Sequence, residues 1–158
     1  KVNEDEFKSM LVPYMDKLIA ENPVDSLIKE DNNQVLDMIK KEGLKGQMQF
    51  FAQGIFEAGN VTAHNIIAWT DYFWKLSPSD KKTKELCGKW IKYAFNVNRF
   101  NDKVAVPAAD LLARIGNFKD AKIILEKAIA SQKELGNDDP QVYKKLELKL
   151  RDINNKKL

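Results

Sequence analysis

Residues 102–136 read DKVAVPAADLLARIGNFKDAKIILEKAIASQKELG, and this stretch decides the fold class. Apolar residues recur at spacings of three and four on both sides of Gly116-Asn117, the signature of two amphipathic helices joined by a tight turn. Small residues fall where two such helices must approach closely: Ala109 on the first, Ala121 and Ala128 on the second. Leu112, Ile115, Phe118 and Leu125 supply the bulk between them. The spacing predicts a helical hairpin, opened by Asn101 or Asp102 as cap and closed by Gly136. Pro107 fits such a helix only in its first turn, where backbone N–H groups lack intrahelical partners. The first helix is therefore expected to start at about Lys103 or later.

Working outward, helical periodicity dominates the rest of the chain. Phe7, Met10, Leu11, Tyr14 and Leu18 form one face of an N-terminal helix, in which Pro13 should set a kink or a new start. Asn22-Pro23 stops it, a short piece carries Val24, Leu27 and Ile28, and a helix with Val35, Leu36, Met38 and Ile39 ends at Gly43. Residues 45–58 form a further helix closed by Gly59-Asn60, with Thr62 as cap of the next, Ala63 to Leu76. There Ile66, Trp69, Phe73 and Leu76 make one stripe, with Ile67, Tyr72 and Trp74 beside it, as expected of a helix sandwiched between neighbours. Ser77-Pro78-Ser79-Asp80 caps a helix from Lys81 to Asn98. Asp138-Asp139-Pro140 restarts the chain into a last helix, Gln141 to Ile153, whose single apolar stripe suits the end of a stack.

The hairpin resembles a tetratricopeptide repeat. Ala109, Gly116, Phe118, Ala121, Leu125 and Ala128 match that family's small, turn and large apolar positions. Ala105, Leu112 and Lys133 depart from its usual Trp, Tyr and Pro. The resemblance implies an all-α stack of antiparallel helical hairpins in a tetratricopeptide-like superhelix. It would form a single domain over 1–158, with irregular helices over 1–43, degenerate hairpins over 44–100, the regular hairpin over 102–136 and a capping helix over 139–155. In that family the first helix of each pair faces the partner-binding surface, which implies a groove on Lys103, Asp110, Ala113 and Arg114. More distantly, the helix with Trp90, Ala94 and Asn98 followed by LLARIGNFKDAKIILEKAI resembles the helical C-terminal region of Bacteroidetes envelope proteins that carry a thioredoxin fold. That resemblance implies a periplasmic or envelope setting, and a redox centre outside this chain, since the Cys-x-x-Cys motif is absent here.

Composition bounds the function classes. Of 158 residues 44% are hydrophobic and 31% charged, with only seven Gly and five Pro, which favours a globular all-α chain. The net charge of +3 arises from well-mixed signs, unlike a nucleic-acid binder's basic stripe. Lys144, Lys145, Lys149, Arg151, Lys156 and Lys157 read as a solvated helix face and tail. No apolar run approaches membrane-span length. The chain begins at Lys1 and reads as a piece of something longer.

Chemistry-bearing motifs are lacking. His64 is the only histidine, so a two-histidine metal site cannot form, and no Gly-x-Ser-x-Gly, phosphate loop or His-Glu-x-x-His occurs. Cys87 beside Trp90 and Ile91 reads as a buried structural thiol. Asp71 among Trp69, Tyr72, Phe73 and Trp74 is the one acid within an aromatic cluster, and is expected to point to solvent. Phe50, Phe51, Phe56, Trp69, Phe73, Trp74, Trp90 and Phe95 are read as core, apart from a few that could line a groove. The expectation is a non-catalytic protein- or peptide-binding module, with no cofactor or metal, no nucleic acid and no membrane insertion, its partner being another protein, a peptide or a second copy of itself. The alternative is a substrate-holding accessory domain of a thiol-disulfide oxidoreductase.

Overall fold

In the computed structural model the described residues are 3–24, 37–42 and 47–156, and within 47–61 only the backbone is described. Among them every regular element is a helix: α1 Glu4–Glu21, α2 Gln47–Leu76, α3 Lys81–Val97, α4 Asp102–Ile115, α5 Phe118–Glu134 and α6 Pro140–Asn154. Residues 37–42 are also helical. The expected all-α class is what the chain adopts.

Connections this short force sequential helices into antiparallel pairs, and the pairs stack in two layers. In one layer α2 lies against α4 and α4 against α6; in the other α3 lies against α5. Contacts of α3 with α4, and of α5 with α6, tie the layers together. α4 thus touches four helices, and its fully buried side chains include Val104, Ala105, Ala108, Ala109, Leu111 and Leu112. α1 closes the other end, reaching both layers. Its Tyr14 ring packs edge-on to Trp69 of α2, and Tyr93 of α3 donates its hydroxyl hydrogen to the Asn22 carbonyl at 2.7 Å.

The focal hairpin forms as its sequence requires. Ala109, Ala121 and Ala128 are all buried, as are Leu112, Ile115 and Leu125, while Phe118 is half-buried. Asn101 caps α4 by accepting from the Lys103 N–H, and Asn117 caps α5 by accepting from the Asp120 N–H. Between them Gly116 takes φ +92°, its own N–H donating to the Ala113 carbonyl and the Asn117 N–H to the Leu112 carbonyl. Gly136 repeats the device at φ +65°. Both satisfy the carbonyls that a helix end leaves open. A Cβ at Gly116 meets nothing within 4 Å, so Gly116→Ala isolates the backbone cost. We expect a loss of about 1–2 kcal/mol, read as a lower urea midpoint at unchanged slope. No change in midpoint would contradict the left-handed turn.

Three expected boundaries are corrected. Gly59-Asn60 does not close a helix and Thr62 does not cap one, because α2 runs unbroken for 30 residues. Gly and Asn are poor helix formers, but each costs only about 1 kcal/mol or less, and neither removes a donor as Pro would. The three-and-four spacing continues in phase through Ala52, Phe56, Gly59, Ala63, Ile66, Thr70 and Phe73, and the last four are buried. Pro107 is the sixth residue of α4, not in its first turn, and the helix starts at Asp102. Pro107 removes the N–H that would bond the Lys103 carbonyl, yet burial on both sides holds the helix. Pro13 likewise lies inside a continuous α1, on its exposed side, with Leu11 and Met15 buried. The expected stop at Gly43, and the piece holding Leu27 and Ile28, lie outside the described residues.

The remaining caps form as expected. Asp80 accepts from the Thr83 N–H at the start of α3, and Asp139 from the Gln141 N–H at the start of α6, with Pro140 in first position.

Candidate interaction surface

The face expected to receive a partner is the layer of α2, α4 and α6, and there the charged groups bind one another. Arg114 bonds Asp71 of α2 at 2.9 Å and reaches Asp110 on its own helix at 3.4 Å. Asp71 also holds Lys75 at 2.7 Å, and Asp110 accepts from Lys149 of α6. The result is a continuous chain of alternating charge, Lys75–Asp71–Arg114–Asp110–Lys149, laid across three helices. Partly exposed pairs like these contribute about 0–1 kcal/mol each; their geometric role is to hold the three helices in register. Of the four residues assigned to a groove here, Lys103 is exposed, Asp110 and Arg114 are engaged within the chain, and Ala113 is buried beneath the surface.

The same accounting applies to the C-terminal cations. Lys145 bonds Asp102 at 2.8 Å and Lys149 bonds Asp110, so two of the six cations in the apparent basic run neutralise carboxylates of α4. Lys144 and Arg151 stay on the outer face of α6, with Tyr143, Glu147 and an exposed Leu148.

None of the single reactive groups sits in a site. His64 is exposed on α2. Asp71 turns away from the aromatic cluster to its two cations, near the expected solvent edge. Cys87 is fully buried on α3, its Sγ 3.9 Å from the Thr70 carbonyl. Burial pushes its thiol up to about 12, a nearby Asp71 carboxylate acting in the same direction. Since the thiolate is the reactive species, native Cys87 should react with a disulfide reagent at pH 8 at least roughly a thousand-fold more slowly than a free cysteine. Full reactivity is expected only in denaturant. Labelling of the native chain at the free-thiol rate would contradict the burial.

An open apolar groove lies instead at the other end of the stack. α1 contributes Phe7, Met10, Leu11 and Tyr14, and α2 contributes Trp69; together they enclose about 570 Å³. Two edge-on aromatic contacts fix its rings. Phe7 meets Tyr72 at 4.9 Å between ring centroids, and Tyr14 meets Trp69 at 5.8 Å, both edge-on. The α1 helix is seated by Lys8, which donates to Ser77 Oγ at 2.5 Å, and by an ion pair between Lys89 and Asp16 at 2.8 Å. Met10 is 63% exposed, Tyr14 50% and Tyr72 46%. Large apolar side chains clustered at that exposure mark an interaction surface more often than scattered ones do.

The sequence places Phe7, Met10, Leu11 and Tyr14 on one helical face but does not show that half of it stays open. The signal lies in the neighbours: Met15, Leu18 and Ile19 widen the apolar arc of α1 beyond what one contact can bury. Of the large aromatic set, Trp69 lines this groove while Phe73, Trp90 and Phe95 are core. Phe50, Phe51 and Phe56 lie outside the described side chains.

Among the described residues no three His, Cys, Asp or Glu side chains are grouped to hold a metal ion, and no helix is long and apolar enough to cross a membrane. Compared with protein-family models, with curated proteins and with solved structures, the chain matches none of them.

Proposed function

We propose that the chain is a non-catalytic protein-interaction module, built as a tetratricopeptide-like stack, that takes its partner on the groove between α1 and α2. The observation that carries this is the exposed cluster of Met10, Tyr14 and Tyr72 beside the half-buried Trp69, with Phe7 and Leu11 beneath. Tyr and Trp are among the side chains that dominate binding energy at interfaces, and an unbranched, polarisable Met adapts to a partner's shape. The face of α2, α4 and α6 is a poorer candidate, since a partner there would have to displace ion pairs already made. No observation favours the oxidoreductase alternative: the one thiol is enclosed, and the chemistry it needs lies elsewhere.

The test places a photo-crosslinking residue at Met10, and as control at the exposed Lys122, in cells that make the protein. The expected result is a discrete crosslinked product at Met10 that is lost when Tyr14 is changed to Asp and is missing at Lys122. Identical products from both positions, or none from Met10, would overturn the reading.

A further inference from the structure

α3 and α5 lie side by side in one layer, and the fold gathers there a charge that the sequence keeps apart. α3 holds five lysines and one carboxylate, Glu85; α5 holds four lysines against Asp120, Glu126 and Glu134. Their joint surplus exceeds the +3 of the whole chain, so the rest of the chain is net acidic. No single run of sequence shows this, because α4 and its turns separate the two helices. Each of the four carboxylates is already matched: Glu85 with Lys81, Asp120 with Lys92, Glu126 with Lys122, and Glu134 with Lys40 and Arg99. Lys82, Lys84, Lys119, Lys127 and Lys133 stay exposed and make no ion pair among the described residues. Along their seam the two helices leave a narrow depression of about 50 Å³. Buried Phe95 and Ile124 and half-buried Ile123 line it, with exposed Lys92, Asn96 and Lys127 at its mouth.

We infer that the outer face of α3 and α5 is a second interaction surface, separate from the α1 groove, and that its partner is an acidic segment of another protein. Unmatched lysines around pairs already made attract carboxylates and repel a basic partner. The class of polyanion follows from what the face lacks. α3 and α5 contain no arginine, the side chain that forks onto phosphates, and expose no aromatic ring on which a base could stack. Nor do they expose a large apolar side chain to enter a lipid surface; Met10, Tyr14, Met38, Tyr72 and Leu148 all lie elsewhere. The depression takes one small apolar side chain, such as Val, which a peptide supplies between its acidic residues and a phosphate backbone does not. Lys119 and Lys127 stand roughly 12 Å apart along α5, so carboxylates on either side of that Val can reach both. Because these charges are exposed, the contact weakens as salt is added.

Fluorescence anisotropy of a labelled peptide of Glu and Asp with one central Val, titrated with the whole 158-residue chain, tests this. Binding should saturate and should weaken at least about tenfold between low and high salt. Lys119→Glu with Lys127→Glu should weaken it by about tenfold or more. Lys103→Glu with Lys144→Glu, the same change of net charge in the other layer, should leave it as it is, and neither pair should alter melting. Replacing the central Val of the peptide by Gly should cost affinity several-fold, at roughly 0.8 kcal/mol for each buried methylene. Tyr14→Asp, which disables the α1 groove, should leave peptide binding intact. Phosphatidylserine vesicles and a single-stranded oligonucleotide should bind more weakly than the peptide at equal salt. Equal losses from the two charge-reversed pairs would reduce the effect to net charge and overturn the inference, as would a peptide that fails to bind at low salt. Vesicles or oligonucleotide held more tightly than the peptide, and released by the substitutions at Lys119 and Lys127, would overturn the choice of partner.

Discussion

Trp90→Ala is expected to remove about 3–5 kcal/mol of folding stability, the range for emptying a fully enclosed aromatic site. Trp90 sits on α3 with no exposed surface, its ring 4.9 Å from that of Phe73 on α2. Around it Cys87, Ile91 and Ala94 are all completely buried, so little can collapse into the space left behind. The loss is a large share of a total that rarely exceeds about 15 kcal/mol, and the urea midpoint should fall accordingly. Trp90→Phe separates packing from polarity. The indole Nε1 of Trp90 is buried without a hydrogen-bond partner among the described residues, so removing that N–H leaves no orphaned acceptor, and phenylalanine keeps the ring contact. The phenylalanine variant should therefore lose much less than alanine. Equal losses from both would show that Nε1 has a partner after all.

Leu112→Ala should cost about 2–5 kcal/mol. Leu112 has no exposed surface and sits in α4, the helix against which α2, α3, α5 and α6 all pack. A cavity there is felt by both layers at once, which places this substitution toward the upper part of the range. The reverse experiment at the helix crossing, Ala109→Leu, should also destabilise, by about 1–3 kcal/mol, because the added methylenes push α4 off a neighbour. Thermal melts and urea titrations should rank both variants in the same order. A neutral Ala109→Leu would mean that the alanines are not what lets the hairpin close.

The helical class, the hairpin at 102–136 and nearly every cap were legible because they depend on neighbours in sequence. Asp80, Asn101, Asn117 and Asp139 each accept from an N–H two or three residues ahead, and Gly116 and Gly136 adopt a backbone that other residues resist. What was not legible depended on long-range burial. Gly59-Asn60 looks like a stop locally, yet the apolar phase passes through it and the helix continues. Pro107 looks incompatible with a second-turn position, yet the packing on Val104, Ala108 and Leu111 outweighs one lost hydrogen bond. Asp110 and Arg114, assigned to a partner groove, are a related case. They are polar on a helix face and so read as available. Only the fold shows that Asp71 and Lys149, about forty residues away on either side, already hold them.

The way α1 is attached has its own consequence in time. The connections after α2 are brief, and helices joined by them meet residues close by in the chain, a topology that folds fast. The hold on α1 is of another kind: Lys8 reaches Ser77, Asp16 reaches Lys89, and Asn22 receives Tyr93, each link closing a loop of about seventy residues. Closing so long a loop costs entropy before any contact rewards it, so α1 should be the last helix to dock in refolding and the first to leave under mild denaturant. Amide exchange would register this as early loss of protection in residues 4–21 while 102–134 stay shielded. Because Trp69 gains its wall only when Tyr14 arrives, the recess they share exists in the finished molecule and in no earlier stage of its assembly.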